Sequence, residues 1–202
     1  MKIKKYKKKQ VLQFYREMIK IRKFELKAAE LFLGAKLSGN IHTSVGQEAS
    51  NVGACQALEP TDYITATHRG HGQCLAKGAR PDRMMAELYG KKTGYCKGKG
   101  GSMHIVDVEL GILGANGIVG AGIPLATGSA LSSKIQKSGE VSLAFFGDAA
   151  SNQGTFHESI NMAAAWNLPC IYMCENNKYG VSVCIDNVCN TVDIADRAKA
   201  YG

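Results

Sequence analysis

Residues able to do chemistry are densest between Gly147 and Asn177, where the chain reads GDAASNQGTFHESINMAAAWNLPCIYMCENN. Asp148 closes EVSLAFFG, a near-continuous apolar run of the kind a strand buried on both faces shows. A small polar turn, AASNQG, leads into a helical stretch from Thr155 to Trp166. Pro169 marks a restart, and a second apolar run, CIYMC, ends in ENN. Strand, helix, strand is a βαβ unit, so the two strands are parallel and the crossover is right-handed. Ligands of such sheets collect at the carboxyl ends of the strands, and Asp148 and Asn177, 29 residues apart, both fall there. On adjacent strands those ends lie about 5 Å apart. One carboxylate joined by neutral oxygens suits Mg2+ completed by phosphates and water rather than a calcium cage. The free N–H groups and dipole of the helix that follows face the same place. A metal ion beside a helix N-terminus points to a diphosphate. Singly, each part has a structural reading, since an aspartate here can cap a helix and paired asparagines can make a turn; the combination carries the argument.

The elements that must hold these residues follow from periodicity. Apolar residues recur at helical spacing from Val11 to Leu33, with Gly34 as a stop. SVGQEASNVGACQAL reads as a second helix, Tyr63 to Thr67 as a short strand, the following THRGHG as a glycine-punctuated loop, and Pro81 to Tyr89 as a helix. Ten glycines lie between Gly90 and Gly122, with Met103, Ile105, Ile112, Leu113, Ile118 and Val119 as apolar anchors. Flexible linkers lack such anchors, so this is an ordered and functional loop system. PLATGSALSSKIQK, Pro124 to Lys137, is a small-residue helix. The alternation of strands and helices gives an α/β fold.

Bulk composition narrows the classes. The net charge of +8 over 202 residues suggests nucleic acid until Lys2, Lys4, Lys5, Lys7, Lys8 and Lys9 are set aside, which leaves +2. Those lysines read as a solvated basic tail, interleaved by no aromatic residue beyond Tyr6 where a nucleic-acid arm would carry several, and no nucleic-acid partner is expected. Charges break VLQFYREMIKIRKFELK where a signal peptide needs an apolar core, and no window approaches the roughly 18 apolar residues of a membrane span. A cytoplasmic protein without a membrane partner is the expectation. The seven cysteines are odd in number and form no C-x-x-C pair, so reduced, mostly buried thiols are expected rather than a disulfide framework or zinc site.

The stretch from Asp148 to Asn177 resembles the thiamine diphosphate motif of alpha subunits of 2-oxo acid dehydrogenases. GQEA, THRGHG, GKGGSMH and NGIVGAGIPLATG are similar to that family's other signatures, in its order, and the likeness runs from Val11 to Gly202. NQGTFHESINMAAAWNLP is similar to acetoin-type and pyruvate-type bacterial members. The resemblance implies a thiamine diphosphate-binding fold, a parallel sheet flanked by helices, over residues 10–202, incomplete at the C-terminus and preceded by the basic tail 1–9. By the same resemblance Asp148, the Asn177 side chain and the Tyr179 carbonyl would hold Mg2+, and Arg69 would grip the diphosphate, as a planar permanent cation suits phosphate oxygens. His68 takes the place where many relatives carry a tyrosine beside the cofactor. Gly117 and Val119 would line the aminopyrimidine, Ala149 and Ala150 would lie against the cofactor, and His104 would be the catalytic, proton-handling residue. His71 and His157 are expected to be structural.

The implied reaction is decarboxylation of a 2-oxo acid, or carbon–carbon cleavage of acetoin, with the two-carbon unit passed to the lipoyl group of an acyltransferase. The implied partners are that acyltransferase and a beta subunit, in an assembly of two alpha and two beta chains. Two departures stand out: Ala149 occupies a position where the family usually has glycine, which would matter if the backbone there needs φ > 0, and the sequence stops at DRAKAYG while relatives continue. A non-catalytic or split cofactor-binding half, and a transketolase-like enzyme, remain as alternatives.

Overall fold

A computed structural model describes residues 6–191 and 193–202, so Lys2, Lys4 and Lys5 of the basic tail lie outside the described residues. The chain runs α1 (Lys8–Leu33), α2 (Glu48–Cys55), β1 (Tyr63–Ala66), α3 (His71–Lys77), α4 (Pro81–Leu88), β2 (Ile112–Ala115), α5 (Gly122–Gln136), β3 (Ser142–Gly147), α6 (Gly154–Ala165), β4 (Cys170–Glu175) and a small hairpin, β5 (Tyr179–Gly180) with β6 (Val183–Cys184). Four strands form a parallel sheet in the order β2-β1-β3-β4. It is the expected α/β arrangement with helices on both faces.

Alternation along β3 divides the core. Leu143 and Phe145 pack with Ile21, Phe24, Leu75 and Met84 on the side of α1, α3 and α4, while Phe146 packs with Ile123 of α5 and Phe156 of α6. The βαβ unit β3-α6-β4 lies where its apolar runs place it, and the register pairs Gly147 with Glu175, so both strands end level. One expectation changes: β4 is an edge strand among the described residues, with Ile171 half exposed rather than buried on both sides.

Two elements lie where only loop was expected. α3 occupies the stretch after THRG, and its glycines serve packing: a Cβ on Gly72 would stand 2.3 Å from Asn51 Nδ2 and 2.5 Å from Ser44 Oγ, so a bare Cα there lets α3 close on α2. β2 sits inside the glycine-rich stretch and pairs with β1. Element ends also shift: α1 starts at Lys8, inside the lysine run, and α2 spans only Glu48–Cys55 of the longer stretch read as helical. The seven cysteines are free, but only Cys55 and Cys74 are buried and the other five are half-buried. No helix among the described residues is long and apolar enough to cross a membrane.

Candidate active site

The carboxyl ends of all four parallel strands open into one cavity of about 780 Å³. Its wall is made by the segments 66–69 after β1, 116–120 after β2, 145–150 at the end of β3 and 175–181 after β4, with His42, Gln47 and Gln153 between them.

Asp148 is the first residue of a 3-10 turn, Asp148–Asn152, between β3 and α6. It is 1% exposed, and its Oδ2 is buried with no hydrogen-bond partner. A buried carboxylate oxygen left unmatched costs several times what an ordinary hydrogen bond returns, so a cation fits this position on chemical grounds. No cluster of three or more His, Cys, Asp or Glu residues able to hold a metal occurs among the described residues. The fit is therefore for a hard ion taking one carboxylate plus neutral and ligand oxygens. The turn is pinned from outside the cavity by Arg197, which donates to the Ser151 carbonyl at 2.5 Å and to Asn152 Oδ1 at 2.9 Å. α6 then starts with no acidic residue and no side-chain cap in its first turn; the Phe156 N–H donates to the Gln153 carbonyl at 3.1 Å, and the Gly154 and Thr155 N–H groups are the ones an anion could take. Ala149 lies outside the left-handed region, so the strain considered for a non-glycine residue there does not arise. Its methyl instead faces Gly180, where a Cβ would stand 2.8 Å away.

Asn177 and Tyr179 line the cavity across from this turn. Asn176 Oδ1 accepts from Lys178 N at 3.1 Å and Asn177 Oδ1 from Tyr179 N at 3.0 Å. The asparagine pair thus builds the turn into β5, and a carboxamide oxygen in one such bond keeps a second lone pair. The structural and the ligand readings of these asparagines are compatible.

Beyond β1, His68 and Arg69 lie half-buried on the cavity wall. Arg69 Nη1 donates to the Thr43 carbonyl at 3.1 Å, and the rings of His68 and His42 meet edge to face at 5.2 Å. Burial first, then the Arg69 charge, pushes both histidines below the ordinary imidazole range, so Arg69 is the permanent cation of this wall. His42 Nδ1 and Gln47 Oε1 are buried without partners. Neither was singled out from the sequence; the only hint was their place in IHTSVGQEA.

On the β2 side, Gly117 and Val119 line the cavity, and Asn116 Oδ1 accepts from Ile118 N at 2.9 Å. His104 is exposed and not part of the wall. Its ring stands behind Gly117, with Cε1 3.4 Å from where a Cβ would be. His71, by contrast, is fully buried, its Nδ1 paired with Glu25 Oε2 and its Nε2 with Ser102 Oγ, both at 2.9 Å. His157 pairs with the Tyr201 hydroxyl.

Glu175, at the end of β4, was also missed. It is buried against the cavity, Oε1 accepting from Ser50 Oγ at 2.6 Å and Oε2 from Gln73 Nε2 at 2.5 Å, and burial pushes its carboxyl up. These donors lie 125 and 102 residues away in sequence, beyond the reach of any local motif.

Comparison with known proteins agrees with this architecture. The model of the family described as "Dehydrogenase E1 component" matches residues 16–202. The alpha subunit of acetoin:2,6-dichlorophenolindophenol oxidoreductase from Bacillus subtilis is 55% identical over 94% of this chain and 57% of its own length. The same subunit from Cupriavidus necator is 50% identical over 96% and 59%, and the Rhizobium meliloti pyruvate dehydrogenase E1 component subunit alpha is 44% identical over 95% and 55%. The chain thus spans a little over half the length of these relatives. Among solved structures, a transketolase from Leishmania mexicana superposes with a TM-score of 0.60 at 18% identity, covering 92% of this chain and 31% of that one. A thiamin diphosphate-dependent enzyme from Mycobacterium smegmatis gives 0.50 at 15% identity, covering 80% and 27%. With a parallel sheet ending in this cavity and a family match across nearly its whole length, the chain belongs to the dehydrogenase E1 component family.

Proposed function

We propose that this chain supplies the cofactor-binding part of the alpha subunit of a thiamine diphosphate-dependent dehydrogenase acting on pyruvate or acetoin, with a lipoyl acceptor. The single observation that carries the reading is the orphaned, buried Oδ2 of Asp148, a residue that lines the cavity just before α6 starts. The names of the relatives favour acetoin or pyruvate. In this reading Asp148, the Asn177 carboxamide and the Tyr179 carbonyl hold Mg2+, and the α6 N–H groups and Arg69 hold the diphosphate. Gly117 and Val119 flank the aminopyrimidine, with His68, Ala149 and Ala150 against the cofactor. Thiamine diphosphate, when bound, supplies the carbanion-stabilising chemistry, and the chain's part is binding, orientation and exclusion of water.

The wall suits that task because His42 and His68 are kept neutral, leaving their ring nitrogens free to accept or donate without adding charge. His104, exposed beside Gly117, takes up or releases a proton at its imidazole once the cavity mouth is covered. A beta subunit is the proposed cover, in a two-alpha, two-beta assembly that also meets a lipoyl-bearing acyltransferase. What supports it is the apolar rim: Ile118 and Tyr179 are 73% and 57% exposed, and Val181 is fully exposed. Such exposed apolar side chains around one opening suit an interface. Titration calorimetry of the chain with thiamine diphosphate tests the proposal. Saturable one-to-one binding that needs Mg2+ is expected, and binding indifferent to Mg2+, or none in a chain co-expressed with its beta subunit, would overturn it.

A further inference from the structure

Glu175 and Gln73 belong to no ligand set named above, yet together they join three elements under the cavity. Gln73 is fully buried on α3; its Nε2 donates to Glu175 Oε2 at 2.5 Å, and its Oε1 accepts from the backbone N–H of Thr67 at 2.9 Å. Thr67 opens the turn that carries His68 and Arg69, and its Oγ1 accepts from Arg69 N at 3.2 Å. An amide has a donor end and an acceptor end. A carboxylate at the donor end therefore fixes the amide so that its oxygen meets Thr67. Ser50 Oγ of α2 holds the other Glu175 oxygen at 2.6 Å, which fixes the carboxylate in turn.

We propose that Glu175 is a positioning residue that acts through Gln73 on the Thr67–Arg69 turn, so that the end of β4 sets the place of the phosphate-gripping arginine at the end of β1. The inference rests on the thiamine diphosphate reading for its consequence, though not for the relay itself. It assigns the acid before the asparagine pair a task separate from metal binding. It also links the two sides of the cavity: the strand that ends in Asn177 orients the loop that bears Arg69.

The chemistry of the relay separates two substitutions. Glu175→Gln keeps an acceptor for Gln73 Nε2. Its own amide N–H can donate to Ser50 Oγ, whose proton already has the Gln47 carbonyl within reach at 2.8 Å. Both present partners of Glu175 thus stay engaged. Glu175→Ala leaves the Gln73 amide unfixed, and Gln73→Met removes both of its bonds at nearly constant volume.

Amide hydrogen exchange at Thr67, read by NMR on the unliganded chain, tests the relay directly. Exchange at Thr67 should be at least tenfold faster in Glu175→Ala and in Gln73→Met, and return to the parent rate in Glu175→Gln, with core amides such as Ile64 unchanged. Equal Thr67 exchange in Glu175→Ala and the parent would overturn the proposal, as would uniform acceleration across β1, which a merely structural role predicts. Calorimetry with thiamine diphosphate and Mg2+ tests the consequence. Gln73→Met should weaken binding about tenfold in the parent and not at all in an Arg69→Ala background, because the relay acts through that side chain; equal losses in both backgrounds would refute the link. If the parent binds no thiamine diphosphate, the cofactor reading fails while the Thr67 measurement still decides the relay.

Discussion

Glu87→Gln is the substitution whose cost follows most directly from the structure. Glu87 is fully buried on α4 and its carboxylate accepts four backbone N–H groups: Oε2 takes Cys96 at 2.8 Å and Gly98 at 2.9 Å, Oε1 takes Gly100 at 2.7 Å and Gly101 at 3.1 Å. The loop it organises bends through left-handed backbone at Lys97, Gly98 and Gly101 and passes into Ser102, the partner of His71, and then His104. A glutamine presents one oxygen and one N–H2, so two of the four donors lose their acceptor and face another donor. Each orphaned donor costs about 1–3 kcal/mol, which puts the loss for two at about 2–6 kcal/mol. Urea unfolding followed by far-UV circular dichroism measures it. With a slope near the upper end of about 1–3 kcal/mol/M for small proteins, the midpoint should fall by about 0.7 M or more. A fall below about 0.3 M would refute the view that this carboxylate holds the glycine-rich loop.

Other predictions concern the turn at Asp148 and the response to acid. Gly180→Ala places a methyl 2.8 Å from the Ala149 Cβ and should cost about 1–3 kcal/mol in urea unfolding as overpacking. Ala149→Gly should recover most of that in the double variant, and additive losses would show that the two positions do not touch. The Arg22 guanidinium, 2.6 and 2.9 Å from the Glu48 oxygens, holds that carboxyl at about 2, below the ordinary 4.5. A folded-state value below the unfolded one gives stability that is fully present above pH 4.5 and lost as pH falls towards 2. The gap in urea midpoint between the parent and Arg22→Met should therefore be constant above about pH 5 and narrow below pH 4.5; a gap that widens in acid would contradict the pairing.

The β3-α6-β4 unit and its cavity-lining ends were legible because the signals are local: two apolar runs, a helix between them, and Asp148 and Asn177 at the ends. α3 and β2 were not, because their glycines look like loop punctuation in sequence but serve close approach in space, as Gly72 does against Asn51 and Ser44. His42, Gln47 and Glu175 were invisible for a different reason. Their neighbours come from distant elements, and only folding shows that His42 meets His68 or that Ser50 and Gln73 meet Glu175. His104 was placed by resemblance rather than by any local pattern; its ring lies next to Gly117, which lines the cavity, while His104 itself does not.

Whether the orphaned Asp148 oxygen holds the metal of a bound thiamine diphosphate is best decided by thermal unfolding of the chain with the cofactor, with and without Mg2+, in the parent and in Asp148→Ala. Cofactor at 100 times its dissociation constant adds about 2.7 kcal/mol, which at about 2–4 °C per kcal/mol for a domain of this size is a rise of about 5–10 °C. The account predicts that rise with Mg2+ in the parent, and its loss both without Mg2+ and in Asp148→Ala. An equal rise in Asp148→Ala would contradict it.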